Sequence, residues 1–189
     1  MTTYTETLPP GSYRGAASVS ISTSDYSPFH RQRLKSGWSS TAFKLMPQLL
    51  ITITVKEPKH QRRNDDGRWL ISEESLMTKS NLLLHFVNAD FFSKNYKKKG
   101  RYLEGFGCIE PQKNHQPHIH LAVTNKLPPK SLIRLKRSFE MKIKKVPLFE
   151  SQGFDFRFTD TSDESYLKIG SYLAKGLNML ILSEDGLLN

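Results

Sequence analysis

The sequence predicts an α+β fold: a central antiparallel β-sheet of four to five strands, with helices packed on one face. Three observations carry this. Ile51, Ile53 and Val55 alternate with Thr52 and Thr54, the period-2 pattern of a half-buried strand. Two more strand-like segments, 102–110 and 117–123, flank a short polar run and read as a hairpin. Segments with helical apolar spacing separate the strands, and the order β-α-β-β-α-β-α is most economically met by an antiparallel sheet.

Taken in order, residues 1–45 are rich in Thr, Ser and Pro and show little apolar periodicity. They predict an extended lead segment, with one short edge strand near Ser18–Ser22, ahead of a domain spanning 46–189 whose packing starts near Phe43. The first strand covers 49–55 and stops at Glu57-Pro58; a charged loop, 59–68, contains the turn pair Asp66-Gly67. Ser72 is placed to cap a helix whose first turn holds Glu73 and Glu74. That helix is expected to run to about Lys98 with Leu76, Leu83, Val87 and Phe91 buried, and Gly100 stops it. In the strand 117–123, Ile119, Leu121 and Val123 take one face and His118, His120 and Ala122 the other. Pro128-Pro129 opens the next helix, with Leu132, Leu135, Phe139 and Ile143 at core spacing and lysines and arginines on its other faces. Residues 154–158 alternate as a fourth strand. Ser162 or Asp163 then caps a final helix from about Glu164 to Leu177.

Twenty-eight Lys and Arg oppose 18 Asp and Glu, a net charge of +10 that favours polyanions, nucleic acid foremost. A single cysteine cannot form an internal disulfide, which suits a reducing compartment. The longest apolar runs fall far short of the roughly 20 residues that span a bilayer, and the N-terminus lacks a basic-then-apolar leader pattern. The expectation is a soluble, cytoplasmic protein with no membrane partner.

Three constellations carry chemistry. His118-Ile119-His120 aims two imidazoles the same way from one strand, so both reach one ion. If the hairpin pairs residues whose numbers sum to about 228 or 230, Glu110 lies across from His118 or His120 and completes a two-imidazole, one-carboxylate site. His115, in the turn, is a rival third ligand, and a solvent-facing His-x-His pair is the plainer alternative. In the last helix Tyr172 and Lys175 lie three residues apart and Lys168 four residues before the tyrosine, so both cations flank the phenol, a core-edge tyrosine beside a solvated lysine being the plainer alternative. Tyr166 is turned away and reads as packing. Thr52 and Thr54 lie opposite the apolar residues of the first strand, on the surface expected to hold the histidines, or are ordinary exposed threonines.

The segment Glu110-Pro111-Gln112-Lys113-Asn114-His115-Gln116-Pro117-His118-Ile119-His120-Leu121 resembles the second motif of the HUH endonuclease superfamily, and within it of plasmid and single-stranded-DNA phage rolling-circle replication initiators (Rep proteins). Ile51-Thr52-Ile53-Thr54 resembles their first motif, and Tyr172 with Lys175 the third. The likeness covers about Leu49 to Asn178. A tyrosine after the histidines separates it from relaxases, and a Lys rather than a Gln beyond the Tyr separates it from single-tyrosine transposases.

The resemblance implies a metal-dependent DNA endonuclease and strand transferase. Tyr172 would be its nucleophile, Lys175 its helper, and Glu110, His118 and His120 the ligands of Mg²⁺ or Mn²⁺. It would nick and rejoin single-stranded DNA at a replication origin or hairpin through a 5′-phosphotyrosine. Thr52, Thr54, Lys56 and Lys168 are the nucleic-acid-binding candidates, with Lys59, Arg62, Arg63 and the 97–99 lysines as further cations. No G-x-x-x-x-G-K-[ST] sequence is present, so unwinding would fall to a separate helicase and synthesis to a host polymerase. A single-tyrosine HUH transposase and a non-catalytic basic DNA-binding module are the alternatives.

Overall fold

The computed structural model describes residues 28–56, 73–110, 117–160, 162–176, 179–182 and 186–188. Helix α1 (Pro28–Leu45) leads into β1 (Leu49–Val55). Then follow α2 (Glu73–Phe91), β2 (Gly105–Glu110), β3 (His118–Val123), α3 (Pro129–Ile143), β4 (Phe149–Phe158), α4 (Asp163–Leu173) and β5 (Met179–Ile181). The strands form one sheet in the order β4-β1-β3-β2-β5, and each of its pairings is antiparallel. The fold is α+β, as the strand and helix periodicities require, with β3 at its centre. The expected edge strand near Ser18–Ser22, the 59–68 loop, the Ser72 cap and the 112–116 turn lie outside the described residues.

Alternation along the strands divides the core in two. Leu49, Ile51, Ile53 and Val55 of β1 join Ile119, Leu121 and Val123 of β3 in one buried cluster. Leu76, Leu83, Val87 and Phe91 of α2 and Leu132, Leu135, Phe139 and Ile143 of α3 cover it. Each of these helix positions has the apolar spacing read from the sequence. The opposite face buries Leu50, Phe106, Cys108 and Ala122 under Trp38 and Ala42 of α1 and Tyr166, Ile169 and Leu173 of α4. The helices therefore lie on both faces rather than one. Two stripes of the sheet are apolar, and a sheet face that ends in Leu50, Ala122 and Phe106 must be shielded from water.

β2 starts at Gly105 rather than 102, β4 at Phe149 rather than 154, and α4 ends at Leu173 rather than near Leu177. Two further shifts have a clear physical reason. Residues 28–45 are helical and packed, not extended. Leu34, Trp38 and Ala42, four apart, form a one-residue-wide stripe amid Ser, Thr, Lys and Arg, and Trp38 stacks on Phe106 with ring centroids 5.9 Å apart. Helix α2 stops at Phe91, because Asn88 Oδ1 accepts the Leu103 amide and draws the following chain back across the helix end. A series of turns then reaches Gly100, whose φ of +57° is left-handed and suits glycine. Strand β5, absent from the expected order, adds three residues to the free edge of β2.

Helix α4 begins at Ser162, whose Oγ accepts the Ser165 amide; Asp163 and Glu164 occupy its first turn. It lies very close to α1: a Cβ added at Gly170 would stand 2.6 Å from the Ser39 backbone nitrogen. Among the described residues no helix is long and apolar enough to cross a membrane.

Candidate metal and tyrosine site

The site is built from the pairing registers. Glu110 lies across from His118, a sum of 110 + 118 = 228, one of the two registers the hairpin allowed. Thr54 lies across from His118 on the other side, and Thr52 across from His120. Side chains directly opposite in an antiparallel pair share a face. Glu110, His118, His120, Thr52 and Thr54 therefore share the surface opposite the α2–α3 core.

Glu110, His118 and His120 each offer one ligand atom, and these atoms all lie within 4.8 Å of one another. His120 is 2% exposed; its Nε2 is 2.7 Å from Glu110 Oε2 and its Nδ1 3.0 Å from Thr52 Oγ1. Two ligands at adjacent octahedral positions about 2.1 Å from an ion stand roughly 3 Å apart, so the Glu110–His120 pair is already near coordination spacing. The Thr52 hydroxyl both donates and accepts. It serves His120 when Nε2–H donates to Glu110, and equally when Nδ1 carries the proton and Nε2 is free for an ion. Burial lowers the pKa of both histidines: for His118 the charge of His120 adds to it, for His120 those of Lys175 and Arg157, while Glu110 opposes in each case. Neutral imidazole is the form that ligates metal. The donor set, two nitrogens and a carboxylate, fits a divalent cation.

Tyr172 faces this group from α4, its ring edge-on to that of His120. Lys175 Nζ lies 4.5 Å from the phenol ring centroid, the i, i+3 neighbour expected from the sequence. The second cation at Tyr172 is Arg157 of β4, not Lys168. Arg157 Nη1 donates to Tyr172 Oη at 3.2 Å, while its Nε donates to Asp155 Oδ2 at 2.5 Å. Lys168 is turned instead to Glu164, at 2.7 Å, although it lines the surface beside Tyr172. Tyr166 is buried against Phe43, ring centroids 5.6 Å apart, in the cluster beneath α1 and α4. Thr54 is half-buried beside Gly153, Lys56 is exposed just past the end of β1, and His115 falls outside the described residues.

Asp155 and Arg157 were not singled out in the sequence. The signal was there, because in Phe154-Asp155-Phe156-Arg157-Phe158 the polar residues alternate with apolar ones. What the alternation lacks is the neighbour: β4 joins β1 with Asp155 across from Thr52 and Arg157 across from Leu50. That register carries both onto the histidine face.

No protein-family model, curated protein or solved structure matches this chain. Fold and site together define a class, an antiparallel α+β domain with a His-His-Glu group beside a cation-flanked tyrosine.

Proposed function

We propose that the protein nicks and rejoins single-stranded DNA, with Tyr172 as the nucleophile, and so initiates rolling-circle replication as its likeness to HUH initiators implies. One observation carries this reading: a tyrosine whose hydroxyl is held by Arg157 stands ring to ring with a histidine of a group able to bind a divalent ion. An ion such as Mg²⁺ or Mn²⁺, held by Glu110, His118 and His120, would supply charge neutralisation at the scissile phosphate.

The chain's own residues do the rest. Arg157 fixes Tyr172 Oη in position and, with Lys175, keeps positive charge beside an oxygen that attacks as phenolate. Tyr172 Oη forms a bond to phosphorus as the bond from phosphorus to the 3′ oxygen breaks. The phenol proton passes to solvent, and the departing 3′ oxygen takes one up, leaving a 5′-phosphotyrosine and a 3′-hydroxyl. No water is consumed, so the 3′-hydroxyl can reverse the reaction and reseal the strand. The net charge of +10 suits a phosphate polymer as substrate.

The test is incubation with Mn²⁺ and a randomised pool of single-stranded DNA labelled at the 3′ end, the part that stays on the protein, followed by a denaturing gel. A labelled band at the protein's position, abolished by chelator and by Tyr172→Phe, supports the reading. Absence of any covalent product with the unaltered chain rejects it in favour of a binding module.

A further inference from the structure

Strand β4 is an edge of the sheet: β1 pairs with one side of it, and among the described residues no strand pairs with the other. The Thr159 amide, just past its end, donates to Gln48 O. Backbone direction alternates along a strand, so Asp155 and Arg157 also turn their amides and carbonyls toward β1. Those of Phe154, Phe156 and Phe158 point the other way, to the open edge. β4 contains neither lysine nor proline, residues that keep a free edge from pairing, and its register shift falls before Phe154.

Its side chains alternate as well. Phe154, Phe156 and Phe158 lie across from Ile53, Ile51 and Leu49, on the face that α2 and α3 cover. Their rings form a row with centroids 5.8 and 5.5 Å apart, ending in Phe158, which is 55% exposed. Asp155 and Arg157 lie on the opposite face, with Thr52 and Tyr172. Run backwards, Phe154-Asp155-Phe156-Arg157-Phe158 is aromatic at the same positions and exchanges its one acid for its one base.

A second copy of this segment is therefore its complement. Outward-facing residues must meet outward-facing residues, so the numbers paired in an antiparallel contact sum to an even value. A sum of 310 sets Asp155 against Asp155 and a sum of 314 sets Arg157 against Arg157, and like charges directly opposite are unfavourable. A sum of 312 instead sets Asp155 against Arg157 on both sides of the axis, Phe156 against Phe156, and Phe154 against Phe158.

We propose that β4 is the contact of a homodimer: residues 154–158 of two copies pair antiparallel about a two-fold axis at Phe156 and join two five-stranded sheets into one. Asp155 of each copy then faces Arg157 of the other. That guanidinium has five donors, of which one goes to its own Asp155 and one to Tyr172, so it can donate to a second carboxylate without releasing the phenol. Both Tyr172 side chains come to lie on one side of the shared sheet, and five strand spacings, roughly 24 Å, separate the two His120 residues. The dimer does not depend on the nicking reading, and the presence or absence of a DNA adduct does not bear on it.

The test is sedimentation equilibrium of the full chain over a range of concentrations, where the unaltered chain is expected to dimerise. Asp155→Arg sets base against base across the axis, and Arg157→Asp sets acid against acid. Each alone is expected to weaken dimerisation by at least roughly 10-fold. An equal mixture of the two variants restores both opposite-charge pairs and is expected to dimerise like the unaltered chain, which also shows that neither variant has lost its fold. A monomeric unaltered chain overturns the proposal, whether its edge stays open or is covered from within the chain. A dimer that survives either single substitution overturns it as well, and so does a mixture of the two variants that stays monomeric.

Discussion

Tyr172 meets His120 edge to face, their ring centroids 5.9 Å apart and their planes at 66°. One residue comes from the central strand and the other from a helix that follows the last long strand, so a folded sheet is what brings them together. A ring contact of this kind fixes the phenol relative to the His-His-Glu group before any substrate arrives. Phenylalanine keeps the ring and removes the attacking oxygen. Tyr172→Phe is therefore expected to fold and bind DNA but form no covalent adduct, whereas Tyr166→Phe forms it at a comparable rate. Peptide mapping of the adduct decides the matter, and a nucleotide on Tyr166 would refute the assignment.

Arg157 is expected to matter nearly as much. Removing a charged donor from a reacting oxygen costs roughly 10²-fold in rate, so Arg157→Ala should slow adduct formation by about that factor. Arg157→Lys keeps the charge but not the fork that spans Asp155 and Tyr172, and is expected to recover only part of the rate. Equal rates in all three proteins would leave the Arg157–Tyr172 hydrogen bond without a catalytic role.

The ion-binding group can be tested by calorimetry with Mn²⁺ alone. His118→Ala, His120→Ala and Glu110→Gln should each abolish measurable binding or weaken it by more than roughly 10-fold, while the proposed affinity for DNA, expected to rest on cation–phosphate contacts, should stay close to that of the parent. Thr52→Val preserves the strand and the side-chain shape but takes away the partner of His120 Nδ1. It should weaken Mn²⁺ by roughly 10–100-fold, with Thr52→Ser near normal. A Thr52→Val protein that binds Mn²⁺ like the parent would show that the 3.0 Å contact does not orient the imidazole.

Away from the site, Asp90 at the end of α2 is held by Lys142 of α3 at 2.6 Å and by Ser138 at 2.8 Å. The Lys142 hydrogen bond is the main reason its carboxyl lies below the ordinary carboxylate range. A depressed folded pKa means stability that is present above the unfolded value near 3.9 and is lost as pH falls through the folded one. Urea unfolding of Asp90→Asn should show a deficit of about 0.5–1 kcal/mol at pH 7, the size of a partly exposed pair, that shrinks as pH drops below about 4. A deficit that persists undiminished in acid would show that the carboxylate charge is not its source.

Cys108 is fully buried beneath α4, and burial, reinforced by the charge of Glu110 and opposed by the Gly176 amide, pushes its thiol up to about 12. In native protein at pH 8 it should resist iodoacetamide, and it should react promptly once urea unfolds the chain. Rapid native alkylation would mean that α4 lifts from the sheet.

Most of this arrangement was readable in the sequence because it is local. The alternation in β1, the His-Ile-His strand, the Pro128-Pro129 helix start and the Ser162 cap are each written in a few adjacent residues. Glu110 needed one more step, a hairpin register, which the sequence left at two values and the structure fixes at a sum of 228. What stayed hidden depends on distant parts of the chain. Helix α1 contacts the sheet through a stripe too narrow to register against its Ser and Thr content, and β5 is a three-residue strand recognisable mainly through its pairing with β2. Arg157 reaches Tyr172 because β4 chose β1 as its neighbour, a pairing that no short pattern specifies.

The near-contact of Gly170 with Ser39 makes the tyrosine adjustable from behind. Gly170 lies on α4 two residues before Tyr172, and a methyl group there would collide with the Ser39 backbone of α1 as well as with its hydroxyl, so a swing of that side chain alone would not relieve it. Tilting α4 to relieve such a collision would swing the phenol relative to an imidazole anchored in the rigid centre of the sheet. The gap between the phenol and the His-His-Glu group is thus gauged at a helix crossing behind the tyrosine. Drift in the sequence of α1 is accordingly felt at the tyrosine on the other side of the helix it supports.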